Sequence, residues 1–182
     1  MDSQQLVWRG NTLLDAATAA ADAQGCGGDP GVGDSGLGGV GADGVGAGDG
    51  GAQLAHVLSD VIYIGDQESL LIERLTRTVR FRCRGTTSGG EVFTFTQPGF
   101  TVSTLVGDCA GRSYELRRIS PWRKGRAIMR GDVEVGVVEA GARELCVSLV
   151  QSPDGEGLPL IDVAFLTWCC VLVDMPQREM RG

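Results

Sequence analysis

The residues of this chain that could take part in catalysis are few and far apart. Its six cysteines show no Cys-x-x-Cys spacing, and His56 is the only histidine in the sequence. A structural zinc site usually draws four ligands from Cys and His at short spacings, so the sequence does not support one. A Ser–His or Cys–His nucleophile would have His56 as its one base, without a local motif around it. We therefore predict that the protein is not an enzyme and needs no metal and no cofactor.

The cysteines are interpreted as reduced thiols. They are Cys26, Cys83, Cys109, Cys146, Cys169 and Cys170. The chain opens Met-Asp-Ser-Gln-Gln, which lacks the basic and apolar regions of a secretory signal peptide. Disulfides are rare in the reducing cytosol, so the sequence favours a cytoplasmic protein. Cys83 and Cys146 lie on the apolar side of alternating stretches, and we expect both in the core as small apolar residues.

Positive charge is concentrated in the middle of an acidic chain. The formal net charge is −7, which argues against a general nucleic-acid binder. Between residues 74 and 130, however, 12 basic residues stand against three acidic ones, a local charge of +9. In residues 78–84 (TVRFRCR), Arg80, Arg82 and Arg84 alternate with apolar residues, which is the period of a half-buried strand. Such a strand would carry three cations on one face, about 6.6 Å apart.

These cations could form a binding site for anions. The predicted site consists of Arg80, Arg82, Arg84, Arg117, Arg123 and Lys124. Trp122 precedes two of these cations, and an aromatic ring beside cations suits lipid head groups. The other interpretation is that the arginines are the solvated side of strands, with Trp122 as a plug of the fold and Tyr114 as a structural corner.

The strongest structural signal is the apolar run at residues 158–175, the longest in the chain. Pro159 suits the first turn of a helix and Pro176 cannot continue one, so the run predicts a helix. Its length of about 24 Å is short for a membrane span, and it contains Asp162 and Asp174. Because apolar residues fall on every side, we expect a helix that is buried all round. An acid in its first turn would favour the positive end of the helix dipole.

The chain before this helix predicts short antiparallel strands. They cover residues 4–9, 57–64, 78–84, 91–96, 100–106, 112–119, 126–130, 133–139 and 145–150, some eight to ten strands in all. Turn signals about ten residues apart are typical of an antiparallel meander or barrel. Residues 12–23 are alanine-rich and predict a helical turn or two. Residues 25–51 hold 14 of the 29 glycines and no basic residue, which predicts a flexible insertion.

The predicted fold class is mainly β: an antiparallel β-barrel or curved sheet that encloses a hydrophobic C-terminal helix. The predicted organisation has an N-terminal strand and short helical segment at 1–24, followed by a Gly/Asp-rich insertion or linker at 25–53. A barrel domain then covers 54–176, with its buried helix at 159–175.

The order of these elements resembles a known family. A Tyr-Glu-Leu-Arg-Arg strand, a Trp-Arg-Lys turn and a Val-Gly-Val-Val strand precede the apolar helix, within about residues 70–175. This arrangement is similar to the Tubby-like superfamily, which includes LURP-one-related and phospholipid-scramblase-like proteins. The resemblance implies a closed β-barrel threaded by a hydrophobic C-terminal helix, and it supports the fold more than any activity.

Two functions follow from these observations. The first is a non-enzymatic β-barrel module whose basic strand face binds an anionic membrane surface, through its lipid head groups, or an acidic protein. The second is a scaffold or interaction subunit of a protein assembly with no ligand of its own. For both we expect no transmembrane segment and no nucleic-acid partner, and the oligomeric state is left open.

Overall fold

The computed structural model describes residues 3–16, 52–75, 80–150 and 157–175. Within these residues, twelve antiparallel strands form a closed barrel, and a helix packs against its inner wall. The strands are β1 (Ser3–Arg9), β2 (Thr12–Asp15), β3 (Gln53–Leu58), β4 (Val61–Ile64), β5 (Glu68–Arg74), β6 (Arg82–Thr87), β7 (Val92–Thr96), β8 (Thr104–Cys109), β9 (Arg112–Arg118), β10 (Gly125–Arg130), β11 (Val133–Ala140) and β12 (Glu144–Val150). The helix is α1 (Leu160–Asp174). The predicted fold class is confirmed.

Each strand pairs with its neighbours in sequence, and β1 closes the barrel by pairing with both β2 and β12. In the closing pair, Ser3 stands opposite Val150 and Arg9 stands opposite Glu144. Closure leaves no unpaired strand edge in the barrel. Because neighbouring strands are antiparallel, all odd-numbered strands finish at the same end of the barrel. We call this the upper end, and the end at which even-numbered strands finish the lower end.

Alternating side chains fill the barrel. In β7, Phe93 and Phe95 are fully buried whereas Thr94 between them is exposed. In β9, Tyr114 and Leu116 are buried in the same way. Successive side chains of a strand point to opposite faces, so one face of each strand lines the interior.

Helix α1 lies inside the barrel, and every residue from 162 to 170 is buried. The ring centroid of Trp168 lies 5.1 Å from that of Trp8 on β1. Phe165 makes an edge-to-face contact with Phe93 on β7, with 5.4 Å between ring centroids, whereas Thr167, about 160° further round the helix, accepts a hydrogen bond from the Trp8 indole at 2.8 Å. Contacts in such different directions explain why the helix sequence is apolar on every side.

Two glycines of the barrel wall make room for the large side chains of the helix. A Cβ atom on Gly107 would lie 2.3 Å from Leu166 Cδ2, and one on Gly85 would lie 3.0 Å from Phe165 Cε2. A larger residue at Gly107 would displace the Leu166 side chain, and one at Gly85 would force the Phe165 ring to shift by a few tenths of an ångström. The absence of a side chain therefore sets how closely the wall approaches the helix.

We expect Gly107→Ala to lower the free energy of unfolding by about 1–3 kcal/mol, because the added methyl group overlaps Leu166. Equilibrium unfolding in urea measures this effect. Gly89→Ala is the matched control, since the nearest atom to its added Cβ is Thr87 Oγ1 at 3.7 Å. A Gly107→Ala variant as stable as the Gly89→Ala variant would show that the Leu166 side chain moves aside without loss of packing.

One strand prediction and one helix prediction were wrong in the first half of the chain. Residues 57–64 are not one strand but the hairpin of β3 and β4, joined at Ser59 and Asp60 with φ of 49° and 63°. A two-residue hairpin loop of this kind needs positive φ at both residues. Asp tolerates that conformation, so the turn forms without the glycine that would have marked it in the sequence. The helical turn predicted from residue 12 is also wrong over Thr12–Asp15, which is strand β2 paired with β1 and β3. Strand pairing on both sides outweighs local helix propensity here.

Other boundaries shift by a few residues. The strand predicted at 78–84 begins at Arg82 and continues through Thr87, whereas residues 76–79 lie outside the described part of the chain. The strand predicted at 100–106 is β8, which begins at Thr104. The first two strands belong to the barrel itself, and β3 already begins at Gln53. The predicted glycine-rich insertion, from residue 25 to residue 51, lies outside the described residues.

Of the two cysteines predicted to lie in the core, one does and the other does not. Cys83 is buried, as expected, whereas Cys146 is exposed. In β12 the side chains of Leu145, Val147 and Leu149 face the interior. Cys146 alternates with them, so it lies on the outer surface.

Candidate anion-binding surface

The upper end of α1 is held by a buried ionic cluster. Arg118 of β9 and Arg126 of β10 stand directly opposite each other, an arrangement that is destabilising for two cations alone. The Asp174 carboxylate lies between them. Arg118 Nη2 donates to Oδ1 at 2.8 Å, and Arg126 donates from Nε to Oδ2 at 2.5 Å and from Nη2 to Oδ1 at 3.0 Å. Lys124 Nζ donates to the Asp174 carbonyl oxygen at 2.8 Å, where the helix dipole is negative.

A second cluster holds the lower end of α1. The fully buried Asp162 accepts hydrogen bonds from Arg112 Nε and Nη2, both at 2.7 Å, and from the Tyr114 hydroxyl at 2.7 Å. Burial raises the pKa of Tyr114, and the hydrogen bond to Asp162 raises it further, so the phenol remains a donor. Asp162 therefore does more than favour the helix dipole, because it ties α1 to β9.

Sequence reasoning did not find these two clusters. Arg112, Arg118 and Arg126 belong to the basic middle of the sequence, but the first two share the inward face of β9 with Tyr114 and Leu116. Arg112 and Arg118 are each two residues away from a buried residue along the strand, and this alternation could have indicated that they face inward. These three arginines neutralise the helix carboxylates, and they are not available as a site for an external anion.

The predicted anion-binding residues do not form one cluster. Arg82 and Arg84 are exposed on β6, and Arg117 is exposed on β9. Because β7 and β8 lie between those strands, they are separated by three inter-strand spacings, about 14 Å. Arg84 stands opposite Glu73, and Arg117 Nη2 donates to Glu115 Oε2 at 2.7 Å. That hydrogen bond also lowers the pKa of Glu115.

The remaining predicted residues lie in loops at the upper end. Arg80 lies between β5 and β6, where its guanidinium carbon is 4.7 Å from the centre of the Phe100 ring and its Nη1 donates to the Pro98 carbonyl at 3.0 Å. Trp122, Arg123 and Lys124 lie in the loop from β9 to β10.

Two aromatic side chains project from this end. Trp122 is 92% exposed and Phe100 is 84% exposed. Trp122 is therefore not a plug of the barrel, and that interpretation was wrong. Ile119 and Val102 are exposed on the same two loops, so each loop presents a pair of apolar side chains beside cations.

Charge is separated along the barrel axis in the described part of the chain. The eleven basic residues of the upper end are Arg9, Arg74, Arg80, Arg82, Arg84, Arg117, Arg118, Arg123, Lys124, Arg126 and Arg143. Its five acids are Asp60, Glu73, Glu139, Glu144 and Asp174, so the upper end has a surplus of six positive charges. The eight acids of the lower end are Asp15, Asp66, Glu68, Glu91, Asp108, Asp132, Glu134 and Asp162. Against them stand Arg112 and Arg130, a surplus of six negative charges.

Among the described residues, no group of three or more His, Cys, Asp and Glu side chains could hold a metal ion. None of the described helices has the length and the apolar character needed to span a membrane. A scan against protein-family models, a search of curated proteins and a search of solved structures each found no match to this chain. The resemblance to the Tubby-like superfamily therefore stays a prediction, and function has to be inferred from the surface of the barrel itself.

Proposed function

We propose that this protein is a non-enzymatic binding module that docks the upper end of its barrel on an anionic membrane surface. The observation that carries this proposal is the exposure of Trp122 and Phe100 at the end of the barrel that also holds the surplus of cations. An indole ring favours the head-group region of a bilayer, where its apolar body and its polar N–H are both accommodated, and an exposed phenyl ring is stabilised by leaving water. Basic residues near an anionic surface each contribute about 1 kcal/mol.

The apolar contribution comes from the two upper loops. Trp122 and Ile119 are exposed three residues apart in one loop, and Phe100 and Val102 are exposed two residues apart in the other. Solvent-exposed apolar side chains that are grouped and flanked by charge are typical of interaction surfaces. Partial insertion of these four side chains would remove apolar area from water.

The electrostatic contribution also determines orientation. An anionic surface attracts the upper end and repels the acidic lower end, so only one orientation of the barrel is favourable. Attraction of this kind acts over roughly a Debye length, about 8–10 Å at physiological salt. Binding through surface charge should therefore weaken as salt rises.

The test is sedimentation of the full chain with vesicles of phosphatidylcholine, with and without phosphatidylserine. We expect salt-sensitive binding to the anionic vesicles only. Arg123→Glu removes one cation and adds one acid at the upper end, and it should weaken binding about tenfold or more. Trp122→Ala should weaken binding too, through the loss of ring insertion.

Arg130→Glu is the matched control, because it makes the same charge change on an exposed residue at the lower end. It should leave vesicle binding nearly unchanged. Equal binding of the two charge variants, or equal binding to neutral and anionic vesicles, would contradict docking through the upper end.

A scaffold subunit of a protein assembly is the second candidate function. It is favoured by an apolar row on the outer wall, where Leu58, Val61 and Leu71 stand opposite one another on β3, β4 and β5. Leu58 is 61% exposed and Leu71 is 48% exposed. The row begins beside the β3–β4 loop at the upper end and lies on the outward face of the wall, so it suits a protein partner that packs against the wall. This function is the better account if the chain binds neither kind of vesicle.

A further inference from the structure

Two buried cysteines face each other between the barrel wall and the helix. Cys83 is the second residue of β6 and Cys169 lies on α1, and both are almost completely buried. Neither takes part in the surface proposed to bind membranes. Their placement opposite each other follows from the contacts around them.

The direction of α1 relative to β6 fixes this placement. The helix begins where Asp162 meets Arg112, at the start of β9, and ends where Asp174 meets Arg118, at the end of β9. Helix α1 therefore runs parallel to β9 and antiparallel to β6, since β6 is an even-numbered strand.

The spacing of side chains then brings the two sulfur atoms together. Phe165 Cε2 lies 3.0 Å from the position of a Cβ on Gly85, so this helix residue faces this strand residue. Cys169 lies four residues after Phe165, about 6 Å further along the helix towards the upper end. Cys83 lies two residues before Gly85 on the same inward face of β6, about 6.6 Å away in that same direction.

The two thiols differ in their readiness to ionise. A side-chain hydrogen bond with Cys169 lowers the pKa of Cys83, and the charge of Arg74 lowers it further, against the effect of burial. Burial raises the pKa of Cys169 well above that of an ordinary thiol. Cys83 is thus the member that ionises first, with Cys169 as its hydrogen-bond donor.

We propose that Cys83 and Cys169 form a reversible disulfide, made by a small hydroperoxide, that fastens the central helix to the barrel wall. The Cys83 thiolate attacks one peroxide oxygen, the O–O bond breaks, and a sulfenic acid forms while hydroxide leaves and takes up a proton. The Cys169 sulfur then attacks the Cys83 sulfur. The S–S bond forms, the S–O bond breaks, and the hydroxide leaves as water with the Cys169 proton, so that two thiols and one hydrogen peroxide give one disulfide and two waters.

The position of the pair suits this reaction. Cys83 is the second residue of β6, so the pair lies close to the upper end of the barrel, and the reaction requires a molecule as small as hydrogen peroxide to enter from that end. The bond would join two residues far apart in sequence, and closing so long a loop raises the Tm by the order of 10 °C in a chain of this size.

The experiment treats the reduced full chain with hydrogen peroxide and then measures its intact mass, the cysteine peptides that are joined, and the Tm. We expect the loss of two hydrogen atoms, a linkage that maps to Cys83 and Cys169, and a higher Tm that dithiothreitol reverses. Cys169→Ala should abolish the linkage and leave an oxidised sulfur at Cys83.

Cys170→Ala is the matched control. This neighbour is equally buried, and burial raises its pKa to about 12, but the charges that act on it are those of Arg126 and Asp174, so it faces another part of the wall. The linkage should persist in this variant. An unchanged mass after peroxide, a linkage to any other cysteine, or loss of the linkage in Cys170→Ala would overturn the proposal.

Discussion

Asp174→Asn should lower the free energy of unfolding by about 3–5 kcal/mol, the usual effect of removing one partner from a buried ion pair. The carboxylate is the group that separates Arg118 from Arg126, which stand opposite each other on β9 and β10. Arg126 is fully buried and its Nη1 has no hydrogen-bond partner in the described structure, so water cannot easily replace the lost charge. Two facing cations would remain at the end of the helix.

Urea unfolding of the variant measures this effect. Glu144→Gln serves as the control, because it removes one partner of the exposed pair with Arg9 at 3.3 Å and should change stability by less than about 1 kcal/mol. Adding Arg126→Met to Asp174→Asn should recover part of the loss, since one unpaired buried cation is then replaced by an apolar side chain. Similar values for the two single variants would mean that the cluster contributes little to stability.

Phe165→Ala is the second substitution with a large expected effect, also about 3–5 kcal/mol. Phe165 is fully buried and makes edge-to-face contacts with Phe93 and Phe95, with ring centroids 5.4 Å and 6.4 Å apart. Its removal leaves a cavity between α1 and the wall that neither rigid element can close. The melting temperature and the urea midpoint should both fall.

The matched control for that substitution is Phe100→Ala, which deletes the same atoms from an exposed loop. Its stability should stay within about 0.5 kcal/mol of the parent protein. If both variants unfolded at the same urea concentration, the helix would not be a packed part of the core.

Much of the fold was predictable because its strongest patterns are local. Alternation identified the inward faces of β7 and β9 through Phe93, Phe95, Tyr114 and Leu116. The apolar character of α1 on every side indicated a helix enclosed by walls, and the closed barrel confirms this. Patterns of this kind report which side of an element meets the core.

What the sequence did not reveal depends on pairing between distant segments. Strand β2 exists because it pairs with β1 and β3, and no local feature of Thr12–Asp15 records those partners. In the same way, Arg118 and Arg126 resemble surface cations until the barrel places Asp174 between them. The distance between the β6 and β9 arginines likewise follows from the strand order alone.

The candidate surface was partly predictable. Trp122 beside Arg123 and Lys124 indicated an aromatic next to two cations, and the structure adds that the indole ring faces solvent. Phe100 was missed because a phenylalanine in a stretch read as a strand, residues 100–106, looks like a core residue. It lies instead in the loop before β8, where its ring packs beside Arg80.

The order of the elements along the chain has a consequence for how this protein is made. Strand β1 must wait for β12 before the barrel can close, because Ser3 pairs with Val150, and the helix that fills the interior comes after all twelve strands of the described chain. A ribosome therefore releases the entire apolar lining before the element that covers it has been synthesised. Partners so distant in sequence give a high contact order, and such proteins fold slowly. Until α1 emerges, the nascent barrel exposes its inner surface to association with other chains, so a chain cut short before the helix should aggregate instead of folding.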